Sequence, residues 1–238
     1  MYLKISLLFL VFAAFICAFK TTPPELYKKL LTYCNTLPDE FDQISAERQE
    51  VLKQLADHIV TAKSANDKAS LTVICSHNSR RSHMGQLLLA AAAHYYGIDN
   101  IYTFSGGTEA TAFNPRAIAA LERAGFKFEK SANKDKNPSY KAKIGANLSE
   151  HLMYSKKYDD VMNPKEEFIA VLVCSEADEA CPVVKGATAR VAIPFEDPRH
   201  FDNTPSEQKQ YDMRCRQIAR ELFFVMANVK QTIAENKK

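Results

Sequence analysis

The sequence is poor in the residues that build extended or cross-linked scaffolds. Seven Gly and ten Pro in 238 residues are too few for a collagen-like, elastic or broadly disordered chain. Lys and Arg number 31 against 28 Asp and Glu, and a formal charge of +3 leaves no electrostatic footprint for nucleic acid. Six cysteines are too sparse for a disulfide framework, and no Cys-x2-Cys or His-x3-His pair offers a zinc site. What is present is 46% apolar and 25% charged residues, enough to bury one sizeable core.

The first 20 residues stand apart. Lys4 precedes a nearly unbroken apolar run from Ile5 to Phe19. As a helix those residues reach about 22 Å, short of the ~30 Å hydrocarbon core of a bilayer. That length predicts a signal peptide over 1–20 and an extracytoplasmic, periplasmic destination. Ile16 sits where a cleavage site prefers a small residue, so an uncleaved membrane anchor over 5–19 is the alternative.

Residues 21–69 read as a helical N-terminal extension. Pro23-Pro24 opens one amphipathic stretch to Tyr33, and Ser45 is placed to cap a longer helix to Ala62. From Leu71 the pattern alternates. Strands are expected at Leu71–Ile74, Ile101–Phe104, Phe168–Val173 and Arg190–Ile193. Helices are expected at Arg81–Tyr96, Pro115–Ala124 and Ser206–Ile233. This predicts an α/β domain over 70–238: a four-stranded parallel sheet flanked by helices. The polar segment 130–165 reads as a hairpin or loop excursion.

The chemistry concentrates in Leu71-Thr-Val-Ile-Cys75-Ser-His-Asn-Ser-Arg-Arg81-Ser82. A strand runs into Cys75, five residues follow, and Arg81-Ser82 opens a helix. Residues 76–80 can curl so that backbone N–H groups point inward at a tetrahedral oxyanion, with the positive helix end beneath. The anion-binding set is Ser76, His77, Asn78, Ser79, Arg80, Arg81 and Ser82. Arg81 can hold two anion oxygens in a fork. The same field favours the thiolate of Cys75 as nucleophile, and Ser82 can donate a hydrogen bond to it. Asn78 suits a left-handed turn within the loop.

This loop resembles the active site of the low-molecular-weight protein tyrosine phosphatase superfamily, most closely its thioredoxin-coupled arsenate reductase branch. The resemblance runs from Leu71 to Lys230, interrupted around 130–165. It takes in Phe104-Ser-Gly-Gly-Thr-Glu109, Asn114-Pro-Arg-Ala-Ile118 and Phe195-Glu-Asp-Pro198. The wording departs at four places. His77 stands for a customary Gly, Arg80 for a Cys or small residue, and Gln86 for an acidic residue that some reductases use near a potassium site. Arg199-His200-Phe201 replaces the tyrosine pair typical of the phosphatases.

Val173-Cys174-Ser-Glu-Ala-Asp-Glu-Ala-Cys181-Pro182 separates two branches of function. Cys174 ends the third expected strand, at the same sheet edge as Cys75. Seven helical positions from Cys174 to Cys181 span about 10.5 Å, beyond the roughly 7 Å Cα limit of a disulfide, so the two can join only if the segment unwinds. The resemblance implies a relay. Cys75 attacks arsenate, Cys174 attacks Cys75 as arsenite leaves, and Cys181 resolves the bridge for reduction by a thioredoxin-like partner. It also implies Asp197 as general acid and no organic cofactor. The expectation is therefore an arsenate reductase with catalytic residues Cys75, Arg81, Asp197, Cys174 and Cys181. The alternatives are a protein tyrosine phosphatase acting through a phosphocysteine, and a non-enzymatic oxyanion-binding or redox-sensing module.

Overall fold

The computed structural model describes residues 25–132, 135–180 and 183–236. The apolar run 5–19 and Cys181 lie outside these residues. Among the described residues, no helix is long and apolar enough to cross a membrane.

Helix α1 (Lys28–Asn35), a 3-10 turn (Pro38–Gln43) and α2 (Ala46–Asn66) come first. The Ser45 side chain accepts from the Arg48 N–H at 3.3 Å, the cap that its position implied. The helix outlasts its expected end at Ala62, because Asp67 adopts the left-handed conformation that closes a helix and donates its N–H to the Lys63 carbonyl. The first helix starts at Lys28, not at the proline pair, of which Pro24 is already outside the described residues.

Four parallel strands follow: β1 (Ala69–Cys75), β2 (Ile101–Gly107), β6 (Phe168–Leu172) and β7 (Ala187–Ala192), in the order β2-β1-β6-β7. The central strands carry no polar–apolar alternation. Six of the seven β1 residues and all five of β6 are buried, as strands covered on both faces must be. Helix α3 (Arg81–Tyr95) is buried along its whole length to Ala93, because its Leu- and Ala-rich surface is apolar on every side. Helix α6 (Glu207–Glu235) packs against both α2 and α3. Glu221 of α6, almost fully buried, accepts from Arg48 Nε at 2.7 Å and so ties α2 to the far end of the chain.

Helix α4 (Pro115–Ala124) has the limits the sequence implied, set by Asn114, which accepts from the Arg116 N–H, and by the left-handed Gly125. Of the two readings of segment 130–165 the hairpin holds, extended by a strand from just before it. β3 (Lys127–Lys130), β4 (Tyr140–Lys143) and β5 (His151–Met153) form a separate antiparallel sheet. Its residues 154–158 then fold back over the main sheet edge. Tyr158 N–H bonds to Gly107 O and Gly107 N–H to Lys156 O, both at 2.9 Å. This approach requires glycines. A Cβ on Gly106 would lie 2.3 Å from Tyr158 Cα, and one on Gly107 would lie 2.6 Å from Asn78 N.

Candidate active site

Cys75 is the last residue of β1 and is buried. Ser82, in the first turn of α3, places its Oγ 3.0 Å from Cys75 Sγ. Asn78 Nδ2 donates to that same Oγ at 2.8 Å, so the serine hydroxyl hydrogen remains free to point at sulfur. Asn78 takes the left-handed backbone expected of it, with φ +42°. Its Oδ1 accepts from the Lys156 N–H at 2.8 Å. The loop is fixed from outside as well. Thr108 N–H donates to Cys75 O, Thr108 Oγ1 and Glu109 N–H to Ser76 O, and Asn114 N–H to Ser79 O. Ser155 and Thr111 hydroxyls both donate to His77 O, while Ser79 Oγ donates to Ala112 O.

Arg81 heads α3 and is buried, but its fork does not hang free over the loop. Nη1 donates to Phe195 O at 2.7 Å, and Nη2 to Asp197 Oδ2 at 2.8 Å. Asp197 uses its other oxygen to cap the 3-10 turn Pro198–Phe201, accepting from the Arg199 N–H at 3.0 Å. Cys75, His77, Ser79, Arg80, Arg81 and Asp197 enclose a space of about 10 Å³, about one water position. This small space lies beside the Arg81–Asp197 ion pair. Arg80 is among the residues expected to bind the anion, and its side chain is engaged at the rim. Its Nε donates to Tyr211 OH at 2.8 Å and its Nη2 to Asp202 Oδ2 at 3.3 Å, so it lies across the rim, held from α6.

Cys174 follows β6 beside this loop. Val173 N–H bonds to Ile74 O at 2.9 Å, which carries the next residue alongside Ser76. Cys174 Sγ lies 3.5 Å from Ser76 Oγ. Burial pushes the Cys174 thiol up, with a smaller upward push from Cys75, against the lowering pull of the Ser76 hydroxyl and Arg81. Helix α5 (Ser175–Ala180) begins immediately after it. Of the remaining described cysteines, Cys34 and Cys215 are buried in the core, and burial raises each thiol to about 12.

Comparison with known sequences gives a family likeness. Residues 70–143 match the profile described as low molecular weight phosphotyrosine protein phosphatase. This stretch resembles that family. Its curated relatives include an arsenate reductase of Staphylococcus haemolyticus, 28% identical over 137 residues, which cover 56% of this chain and 80% of the relative. The arsenate reductase of Bacillus subtilis is 25% identical over 143 residues, covering 60% of this chain and 84% of the relative. Among solved structures, a low molecular weight phosphotyrosine phosphatase of Vibrio cholerae aligns with a TM-score of 0.45 at 12% identity, covering 71% of this chain and 98% of its own.

Around the phosphatase-family loop stand residues that the sequence did not single out. Glu176 Oε2 of α5 lies 3.9 Å from Arg81 Nη1, so the segment after Cys174 reaches the Arg81 guanidinium. Tyr211 and Asp202 organise Arg80. Lys156, almost fully buried, has its Nζ 4.7 Å from the Tyr154 ring centre. Burial lowers the Lys156 amine from 10.5 to about 8, against a raising pull from Asp160. The group is thus harder to protonate folded than unfolded. Its cost is complete below pH 8, and stability recovers as pH rises from 8 towards 10.5. Lys156→Met keeps the N–H that holds Asn78 and removes the buried charge. It is expected to stabilise the fold by about 1–2 kcal/mol at pH 7. Urea unfolding of both proteins should show that gain shrinking as pH climbs through this window.

Proposed function

We propose that this protein is an arsenate reductase that uses Cys75 as nucleophile and the Cys174/Cys181 pair as a disulfide relay recharged by a thioredoxin-like protein. The observation that carries the reading is the Cys174 thiol, 3.5 Å from the Ser76 hydroxyl inside the anion loop. A phosphatase cycle that forms and hydrolyses a phosphocysteine gives this second thiol no task. The arsenate reductases among the relatives favour the same branch.

In the proposed cycle Cys75 thiolate displaces an oxygen of bound arsenate, and the departing hydroxide takes a proton with help from Asp197. Cys174 then attacks Cys75 sulfur. The As–S bond breaks, its electron pair stays on arsenic as arsenite leaves, and a Cys75–Cys174 disulfide remains. Cys181 attacks Cys174, freeing Cys75. The Cys174–Cys181 disulfide is reduced by the two thiols of the partner. Ser175–Ala180 is helical as α5, and seven helical positions span about 10.5 Å, so in this reading the exchange requires α5 to unwind. The chain is read as exported through the 5–19 segment, where only a dedicated reductant keeps the relay turning.

The test is a coupled assay with thioredoxin, thioredoxin reductase and NADPH. NADPH oxidation that begins only on adding arsenate is the expected result. Turnover of an aryl phosphate with no arsenate response would favour the phosphatase reading, for which Asp197 beside Arg81 is the supporting geometry.

A further inference from the structure

Beside the catalytic loop lies a second cavity of about 460 Å³, lined by His77, Ser79, Arg80, Thr111, Arg199 and Asp202. It shares His77, Ser79 and Arg80 with the small space above Cys75, so the two are continuous at the rim. Every lining residue is polar or charged, and none is Phe, Tyr, Trp or a purely aliphatic residue.

The charges are not equally available. Asp202 is occupied: its Oδ1 accepts from Tyr211 OH at 2.7 Å and its Oδ2 from Arg80 Nη2 at 3.3 Å, with Arg116 Nε a further 3.8 Å from Oδ1. Arg80 is spent on the same cluster. Arg199 is different, because among the described residues its exposed side chain has no hydrogen bond or ion pair. Its backbone N–H is held by Asp197, which fixes the start of the turn that bears it next to the general-acid position. His77 completes the wall, its Nε2 only loosely engaged, 4.0 Å from the exposed Glu109 carboxylate.

We infer that this cavity is a second anion site, and that the active site takes small molecules with two anionic groups: a tetrahedral oxyanion above Cys75 and a phosphate or carboxylate against Arg199 and His77. The assignment rests on the loop binding an oxyanion and is independent of the redox relay. Both His77 and Arg199 are places where this chain departs from the wording of the family it resembles: His77 stands for a Gly, and Arg199 heads the triplet that replaces the tyrosine pair.

Calorimetric titration of the full chain in metal-free buffer tests this, with orthophosphate, phenylphosphonate and methylenediphosphonate as probes. Methylenediphosphonate is expected to bind about tenfold more tightly than phenylphosphonate, the scale of one charge-assisted contact. Arg199→Ala should remove that advantage while changing orthophosphate affinity less than twofold, and Arg199→Lys should restore part of it. Tighter binding of phenylphosphonate, or an Arg199→Ala loss shared equally by all three probes, would overturn the inference. So would failure of methylenediphosphonate to bind. In that case orthophosphate binding still reports separately on whether the oxyanion reading of the loop survives.

Discussion

Replacing Cys174 with serine should reduce multiple-turnover arsenate reduction to background while leaving the first covalent step in place. The two activities separate because the thiol sits beside the anion loop without being the nucleophile. Cys75 has Ser82 Oγ at 3.0 Å, a contact in which residue 174 takes no part. Serine retains a hydroxyl near Ser76 but has no sulfur with which to attack Cys75 and form the disulfide. Mass spectrometry of a stoichiometric arsenate reaction should find the adduct on Cys75 with no Cys75-linked disulfide. Steady NADPH consumption should fall by at least about a hundredfold, the range expected when a required covalent step is deleted. Unchanged multiple turnover in Cys174→Ser would remove the relay from consideration, since neither of its disulfides forms without that sulfur.

The second large effect concerns Arg81. Its guanidinium spans Phe195 O and Asp197 and lies 3.9 Å from Glu176, so three walls of the site converge on one planar group. Lysine keeps the charge but offers a single point in place of a fork. It cannot hold Asp197 and an anion oxygen together. Arg81→Lys is expected to cost about 10²–10³ in kcat/KM for arsenate or phosphate esters, the scale of losing one preorganised transition-state donor. The loss should fall mainly on kcat if the fork acts on developing charge, and mainly on KM if it only seats the anion. Stopped-flow and steady-state kinetics on the same preparation separate these outcomes.

The legible parts of this molecule were those whose information is local. The apolar run ending in Cys75, the Asn114-Pro115 start of α4 and the Ser45 cap are stated by a few consecutive residues each. The small antiparallel sheet was not readable in that way. Its strands are four, four and three residues long, and each presents at most one fully buried residue to a pattern search. The site divides along the same line. The loop 75–82 could be read from spacing, because backbone curvature and helix direction follow from the chain itself. The rim could not. Arg80 meets Tyr211 across 131 positions, and Arg81 meets Asp197 across 116, so their engagement depends on how α6 and the turn at 198–201 pack. Lys156 and Ser155 were invisible for a further reason: Lys156 acts on Asn78 through a main-chain atom, and any residue but proline would supply it.

The strap formed by residues 154–158 has a consequence for how this chain can vary. Its bonds to Gly107 are made by main-chain atoms, and its bond to Asn78 uses the Lys156 N–H, so nearly any substituent could occupy that position without breaking them. The number of residues between the small sheet and Asn163, whose Nδ2 anchors to Ser105 O, has no such latitude. One residue more or fewer would shift every tether out of phase with the nucleophile loop. Substitution there is cheap, whereas a single-codon insertion or deletion should be as damaging as a change in the catalytic loop itself.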